Sequence, residues 1–508
     1  SVEINEQLAT TINNIIDALH DIELIRGHEK ETLAWGVNYV AKTLKVEVDA
    51  VNTDFENVDW QGQKEVYKEI VTDIVNLLVE NKVTNVNQLK DVVKEIIDGK
   101  SKYVTDENAT EFLHILDKIA DVQVIDAVLP LAIKVVVKTL DEKGLTLDYL
   151  NEFTGEELAE DFHTLVEMAH IAVDEGEFVK YYQNGFNENL ALPKEEVVHK
   201  IISKALELHI LADADGRLLS ALYDKYVASI KIGDDPMFLT SADFNFGSID
   251  WTTEEAVLHA IVTAFYDLSE VADFNTFAKL KEMLNNKSFI YRNFFSDEVG
   301  YILVDLLRSL ENSQLVENIV VQTIDYAIDK LTETGKLPFS LDGLKGLKAE
   351  NVMKAIPTLA DVCDIAIEVG VLEYVRTNDI AVINLDLIAD LVEKLTDSDA
   401  INESVNDLIF DALKYAADEL NKSFESNIVI VKSDVDAISI RDEGKVIANA
   451  IRSLKGVFEA NQIVSLNNLL DFIKEKKYKT EAFFDANLGT VINHLADSKY
   501  LQLFLPGL

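Results

Sequence analysis

Along residues 254–284 apolar side chains return every three or four positions, at Val257, Ile261, Phe265 and Leu268 and then, past a short break, at Phe274, Phe277, Leu280 and Leu284. Steps of that size gather each set on one stripe of an α-helix, so the stretch predicts two amphipathic helices joined by a turn. The same eight positions recur 191 residues earlier as Val66, Ile70, Ile74, Leu77, Val83, Val86, Leu89 and Val93. They recur 189 residues later as Val446, Ala450, Leu454, Val457, Ile463, Leu466, Leu469 and Ile473. A register kept without gaps in three windows marks an internal repeat, which decides the fold class before any single residue does.

The rest of the chain falls into the same frame. Residues 2–44 predict an opening helix pair, with apolar stripes at Leu8, Ile12, Ile15, Ile16 and Leu19 and at Leu33, Val37, Val40 and Leu44. Residues 45–60, 230–251 and 427–442 lose the helical period and alternate apolar with polar, which predicts extended or hairpin-like connectors. Two of them end on Asp-Trp, Asp59-Trp60 and Asp250-Trp251, where a buried ring plugging the joint ahead of the next helix is expected. A second pair is predicted at 108–140 and again at 299–331, each preceded by an aromatic or apolar anchor: Tyr103-Val104, Phe294-Phe295 and, in the last window, Phe483-Phe484. A third pair runs over 156–190 and 350–384, with Gly176 and Gly370 at matching places, as expected of residues closing a helix in the left-handed conformation. A fourth pair is expected at 195–230 and 386–422.

The unit is therefore about 190 residues, four helix pairs, and the chain counts as about 11 pairs. The expected division is 1–53 as the last quarter of a unit, 54–242 and 243–432 as complete units, and 433–508 as a partial third. Neither end meets a unit boundary, and the terminal Phe-Leu-Pro-Gly-Leu is not a polar cap, so the chain reads as a segment of a longer array.

Composition narrows the partners. Ninety Asp and Glu against 46 Lys and Arg leave a net charge of −44. Such a surface repels phosphate backbones, whose binding depends on Lys and Arg displacing counterions, so nucleic acid is excluded as the expected partner. Basic proteins or divalent cations on the acidic surface stay compatible, although acidic helix faces are ordinarily plain solvated surface. With 6 prolines and 20 glycines in 508 residues, long helices are permitted almost everywhere. A single cysteine, Cys363, cannot form an internal disulfide and fits either a reducing or an oxidising compartment. No apolar run approaches membrane-spanning length, so no membrane insertion is expected.

Candidate chemistry is sparse. The run Ala212-Asp213-Ala214-Asp215-Gly216 invites a calcium-loop reading, but with Gly216 as the sixth position the first and twelfth are Leu211 and Leu222, neither an oxygen ligand. Gly99-Lys100-Ser101 ends like a phosphate loop, yet Lys94 stands where the first glycine belongs. His163, Glu167, His170 and Asp174, spaced four, three and four, share one helical face and are the one weak metal candidate. The matching segment at 357–368 has Pro357 and Asp364 in place of the histidines, which favours a solvated face instead. Cys363 lies on an apolar stripe beside Val362 and Ala366 and reads as a packed thiol. No catalytic residue and no cofactor is assigned.

In its hairpin period the chain resembles α-solenoids of the armadillo and HEAT type, a likeness of architecture that covers the periodicity alone. The resemblance implies an all-α, elongated, right-handed-type solenoid with short extended connectors. The expected role is a non-enzymatic scaffold, a spacer or protein-binding surface, with a cell-surface adhesin or stalk as the analogy and an extracellular or cell-surface setting favoured over the cytoplasm. The alternative is an intracellular adaptor that takes a peptide or partner domain into a concave groove.

Overall fold

The computed structural model describes residues 3–22, 28, 31–32, 34–35, 38–39, 42, 58–99, 101–141, 147–185, 189–212, 216–229, 231–232, 235–236, 239–333, 345, 347–480 and 483–507. These residues are overwhelmingly helical. Strand pairing among them is confined to Lys231–Ile232 against Asp235–Pro236 and two isolated bridges. The predicted second stripe at Leu33, Val37, Val40 and Leu44, and most of the 45–60 connector, lie outside the described residues.

The chain divides into two compact units. The first comprises Ser1–Tyr226, Phe246–Val262 and Thr276–Ala278; the second comprises Val227–Asn245, Thr263–Asn275 and Lys279–Leu508. The first carries α1 (Glu6–Asp21), α2 (Trp60–Glu80), α3 (Val86–Ile97), α4 (Asp106–Ala120), α5 (Ile125–Asp141), α6 (Gly155–Asp174), α7 (Glu177–Asn184), α8 (Glu195–Ala205) and the opening turns of α9 (Glu255–Val271). The second carries the remainder of α9, most of α10 (Phe277–Asn285), and α11 (Asp297–Ser309), α12 (Gln314–Glu333), α13 (Ala349–Val369), α14 (Val371–Thr377), α15 (Leu385–Asp397), α16 (Asp399–Phe424), α17 (Ile440–Ala460), α18 (Leu466–Lys474) and α19 (Ala486–Ala496).

The three aligned windows build one and the same turn. The first helices end at Glu80, Val271 and Ala460 and the second begin at Val86, Phe277 and Leu466, at the spacings read from the apolar stripes. Two residues past each end, Lys82, Asp273 and Gln462 take φ of 59°, 58° and 56°. The N–H of the next residue, Val83, Phe274 or Ile463, then reaches back to the carbonyl of Leu78, Ser269 or Phe458 at 2.9, 2.8 and 2.9 Å. This satisfies carbonyls that the helix end leaves unpaired and points the following apolar side chain into the core, the Schellman arrangement. Val83, Phe274 and Ile463 are all buried, each stabilising its hairpin by roughly 1.5–3 kcal/mol through loss of apolar surface to water.

Capping residues fall at the same spacings. Asn85 and Ser465 accept the N–H of Gln88 and Asn468 at the start of the second helix. Thr105, Ser296 and Asp485 accept the N–H of Asn108, Val299 and Leu488 at the start of the next. The anchor rings pack back onto the preceding hairpin: Tyr103 against the Val83 and Val92 cluster, Phe294 stacked 5.8 Å from Phe274, Phe483 5.6 Å from Phe472. Gly176 and Gly370 close α6 and α13 with φ of 73° and 96°, left-handed as expected.

Within each unit the first helices of successive pairs pack on one another. In the first unit α1 lies on α2, α2 on α4, α4 on α6 and α6 on α8; in the second α11 lies on α13, α13 on α15, α15 on α17 and α17 on α19.

Three expectations change in detail. The 427–442 connector is extended only over its first residues; Lys432–Asp436 form a helical turn and α17 starts at Ile440. Alternating Ile and Val there serve burial, Ile428, Ile430 and Val435 joining Tyr500 and Phe504 in one cluster. The second half of the 195–230 pair is broken into His209–Ala212, Arg217–Leu222 and a π turn at Tyr223–Val227, with Gly216 left-handed beside Phe246 and Gly247. Trp60 and Trp251 are partly rather than fully buried; Trp60 packs against Ala34, Ala127 and Leu131, and Asp59 caps α2 by accepting the N–H of Gly62 at 2.9 Å.

Candidate functional site

The helices that pack in a row are tied at each joint of the first unit by a polar contact. Asp17 of α1 meets Lys64 and Lys68 of α2 at 3.2 and 3.1 Å. Asp73 of α2 meets Lys118 of α4 at 2.6 Å, Asp117 of α4 meets His170 of α6 at 3.0 Å, and Glu167 of α6 meets Lys204 of α8 at 2.6 Å. In the second unit Arg308 of α11 bonds Asp361 and Asp364 of α13, Asp361 bonds Lys394 of α15, and Arg452 of α17 bonds Asp390 and Glu393 of α15. The lysines beside Asp17, Lys68 foremost, hold its carboxyl below the usual range. Lys394, and then Arg308, do the same for Asp361. Exposed pairs of this kind are screened by solvent, so their chief effect is to fix which residues face each other.

This arrangement disperses the predicted metal candidates. His170 turns to Asp117, His163 lies 3.5 Å from Asp121, Glu167 is taken by Lys204, and Asp174 is exposed. The four share a face of α6, but His163 and His170 answer to the end of α4 while Glu167 answers to α8. His114, which the helical spacing did not single out, is the residue that joins His170 at Asp117, its Nδ1 3.6 Å from the carboxylate and the two rings 5.8 Å apart. Among the described residues no group of three or more His, Cys, Asp or Glu is arranged to hold a metal ion.

The joint between α8 and α9 differs in kind. Ser203 Oγ donates to Glu255 Oε1 at 2.6 Å and lies 3.0 Å from His259 Nε2. His199 Nδ1 and His259 Nδ1 are 2.6 Å apart, and His199 Nε2 is 3.3 Å from Glu195. The serine's one proton goes to the glutamate, so its contact with His259 is one in which Nε2 donates, and the two facing Nδ1 atoms share a single proton between the rings. Ser203 thus does not donate to the imidazole, as a serine paired with a histidine base does. The Ser203 hydroxyl, followed by His259, also holds the Glu255 carboxyl below its ordinary range. A signal for this clasp does exist in the sequence, Glu195-x-x-x-His199 and Glu255-x-x-x-His259, each on one helical face.

Gly99 is a left-handed residue after α3, and the Ser101 N–H donates to the Tyr182 hydroxyl at 3.1 Å, so that amide is engaged within the fold. Asp213 and Asp215 of the calcium-like run lie outside the described residues. Cys363 is half-buried against Val304, Ala360 and Ile367; burial, then Asp364, pushes its thiol up, away from the reactive thiolate. Among the described residues no helix is long and apolar enough to cross a membrane. No protein-family model, no curated protein and no solved structure matches the chain.

Proposed function

We propose that this chain is a non-enzymatic helical-repeat scaffold, part of an α-solenoid-type array of about 190-residue units that spans distance and offers its helix faces to protein partners. The observation that carries the reading is the turn made three times at spacings of 191 and 189 residues, with the left-handed residue, the back-reaching N–H and the buried apolar residue all in register. Hairpins that cannot cover their apolar faces alone, packed first helix on first helix, are what repeat arrays are made of. The polar ties at successive joints act as register pins, and the acid-rich surface keeps a long molecule soluble. A cell-surface stalk or adhesin is the setting we favour.

Small-angle scattering tests this directly. An array gives a radius of gyration well above the value of about 24 Å that a compact 508-residue chain would show, with a cross-section profile typical of a rod. A compact profile overturns the array and leaves the adaptor with a local groove as the better reading.

A further inference from the structure

The α8–α9 and α15–α17 joints hold matching places in the repeat but are filled differently. Counted from the N-cap residues Lys194 and Asn384, Lys204 of α8 answers to Lys394 of α15, and these are the lysines that tie the two helices to Glu167 and Asp361. The same count sets His199 on Ala389, and the register of 189 residues sets His259 on Ala448. Ala389 and Ala448 are wholly buried, and a Cβ on Gly444 of α17 would run into Thr396 Oγ1 of α15, so that joint is closed by the near approach of small residues. The α8–α9 joint carries two imidazoles in their place.

The Nδ1 atoms of His199 and His259 are 2.6 Å apart. Two bare lone pairs repel at that separation, and two N–H groups pointing at each other do not fit into it, so the contact is held by one proton, neither none nor two. The outer nitrogens face acceptors: Nε2 of His199 lies 3.3 Å from Glu195, and Nε2 of His259 lies 3.0 Å from Ser203 Oγ and 3.4 Å from Glu255. A further proton taken up in acid therefore has only the Nδ1 side to go to, where it parts the rings. The charged groups around them are engaged elsewhere: on α6 Glu167 is bound by Lys204, and Glu175 by Lys194 and Lys200; on α8 Glu196 is bound by Lys200; and Glu254, just ahead of α9, is wholly buried. The two imidazole side chains are 25% and 28% exposed, enough for solvent to deliver that proton.

We infer that the His199–His259 contact is an acid-released latch, which holds α8 to the opening turns of α9 near neutral pH and lets go when both rings become charged. Free imidazole takes up its proton at about pH 6.5. The parted rings bind one proton more than the closed pair, so the closed joint is favoured above that range and loses favour as pH falls through it. At the matching joint the pin is Arg452 on Asp390 and Glu393, and a guanidinium keeps its charge throughout. Two equivalent joints of the repeat thus answer differently to the same mild acid.

Hydrogen exchange of the full chain, followed by mass spectrometry at pH 7.5 and 5.0 and corrected for the intrinsic pH dependence of amide exchange, tests the latch. Peptides covering residues 195–205 and 255–262 are expected to lose protection by about tenfold at pH 5.0, while peptides covering 385–397 and 440–450 keep theirs. His199→Ala combined with His259→Ala, which installs the residues of the matching joint, removes that response, and His199→Gln does so should the double variant fail to fold in circular dichroism melts. Protection at 195–205 that is the same at both pH values overturns the latch. So does a response of undiminished size in a folded variant lacking either ring, or an equal response at 385–397. Each of these outcomes reads the same for an extended and a compact chain, so the latch and the array are tested separately.

Discussion

Arg452 grips Glu393 with both arms of its guanidinium, Nη1 to Oε1 at 2.8 Å and Nη2 to Oε2 at 3.2 Å, while Nη2 also reaches Asp390 at 2.6 Å. One cation from α17 therefore pins two carboxylates one turn apart on α15. Forked pairing of this kind is stronger than a single-point ion pair, but the groups are between a third and a half exposed, which tempers it. Arg452→Ala is expected to lower the stability of the second unit by about 1–2 kcal/mol, and Arg452→Lys to recover less than half of the loss, since an ammonium cannot take both oxygens in plane. Urea unfolding followed by the fluorescence of a probe in that unit reads the shift, and an unmoved midpoint for Arg452→Ala would show the pair to be idle.

Lys82 and Gln462 hold left-handed backbone without being glycine. That conformation costs a residue with a Cβ about 1 kcal/mol, partly recovered by the greater freedom glycine has when unfolded. Lys82→Gly and Gln462→Gly should each raise stability by roughly 0.5 kcal/mol, a gain uncommon for glycine on a helical protein. Thermal melts of the single and double variants measure it. Destabilisation by both would mean that these turns do not have the conformation described.

Acid should loosen the joints in a defined range. The carboxyls of Asp17, Asp361 and Glu255 are held below their ordinary values by Lys68, Lys394 and Ser203 respectively. Their unfolded forms bind protons more readily, so the stability they confer is full above the normal carboxylate range, near pH 4–5, and drains away as pH falls through it toward the folded values. Unfolding midpoints at pH 6, 4.5 and 3.5 should therefore drop mainly over the last interval. Asp17→Asn combined with Asp361→Asn should flatten that drop; an unchanged acid limb in the double variant would place its origin elsewhere.

The hairpins were legible because a helix buries every third or fourth residue, and that period survives replacement of Val83 by Phe274 or Ile463 as long as each stays apolar. Gly176 and Gly370 were legible for a like reason: a left-handed residue usually leaves a glycine behind. Lys82, Asp273 and Gln462 hold the same backbone with three unrelated side chains, so nothing in their identity announced it. The grouping of His163, Glu167, His170 and Asp174 looked like one site because spacing along a single helix says nothing about which neighbour each residue meets. The His199 and His259 contact joins residues 60 apart, and two Glu-x-x-x-His pairs become meaningful only when α8 and α9 are known to adjoin. The opposite charges at the matching places Asp117 and Arg308 are hidden further still, since each makes sense only beside a residue on the next helix.

The bend shared by the three windows is specified by peptide groups, through one carbonyl and one N–H that every non-proline residue possesses. Mutation can therefore rewrite nearly all the side chains around it while the bend persists. Kinship between such segments fades from the letters long before it fades from the backbone, and distant relatives of this chain would share its corners with hardly a residue in common.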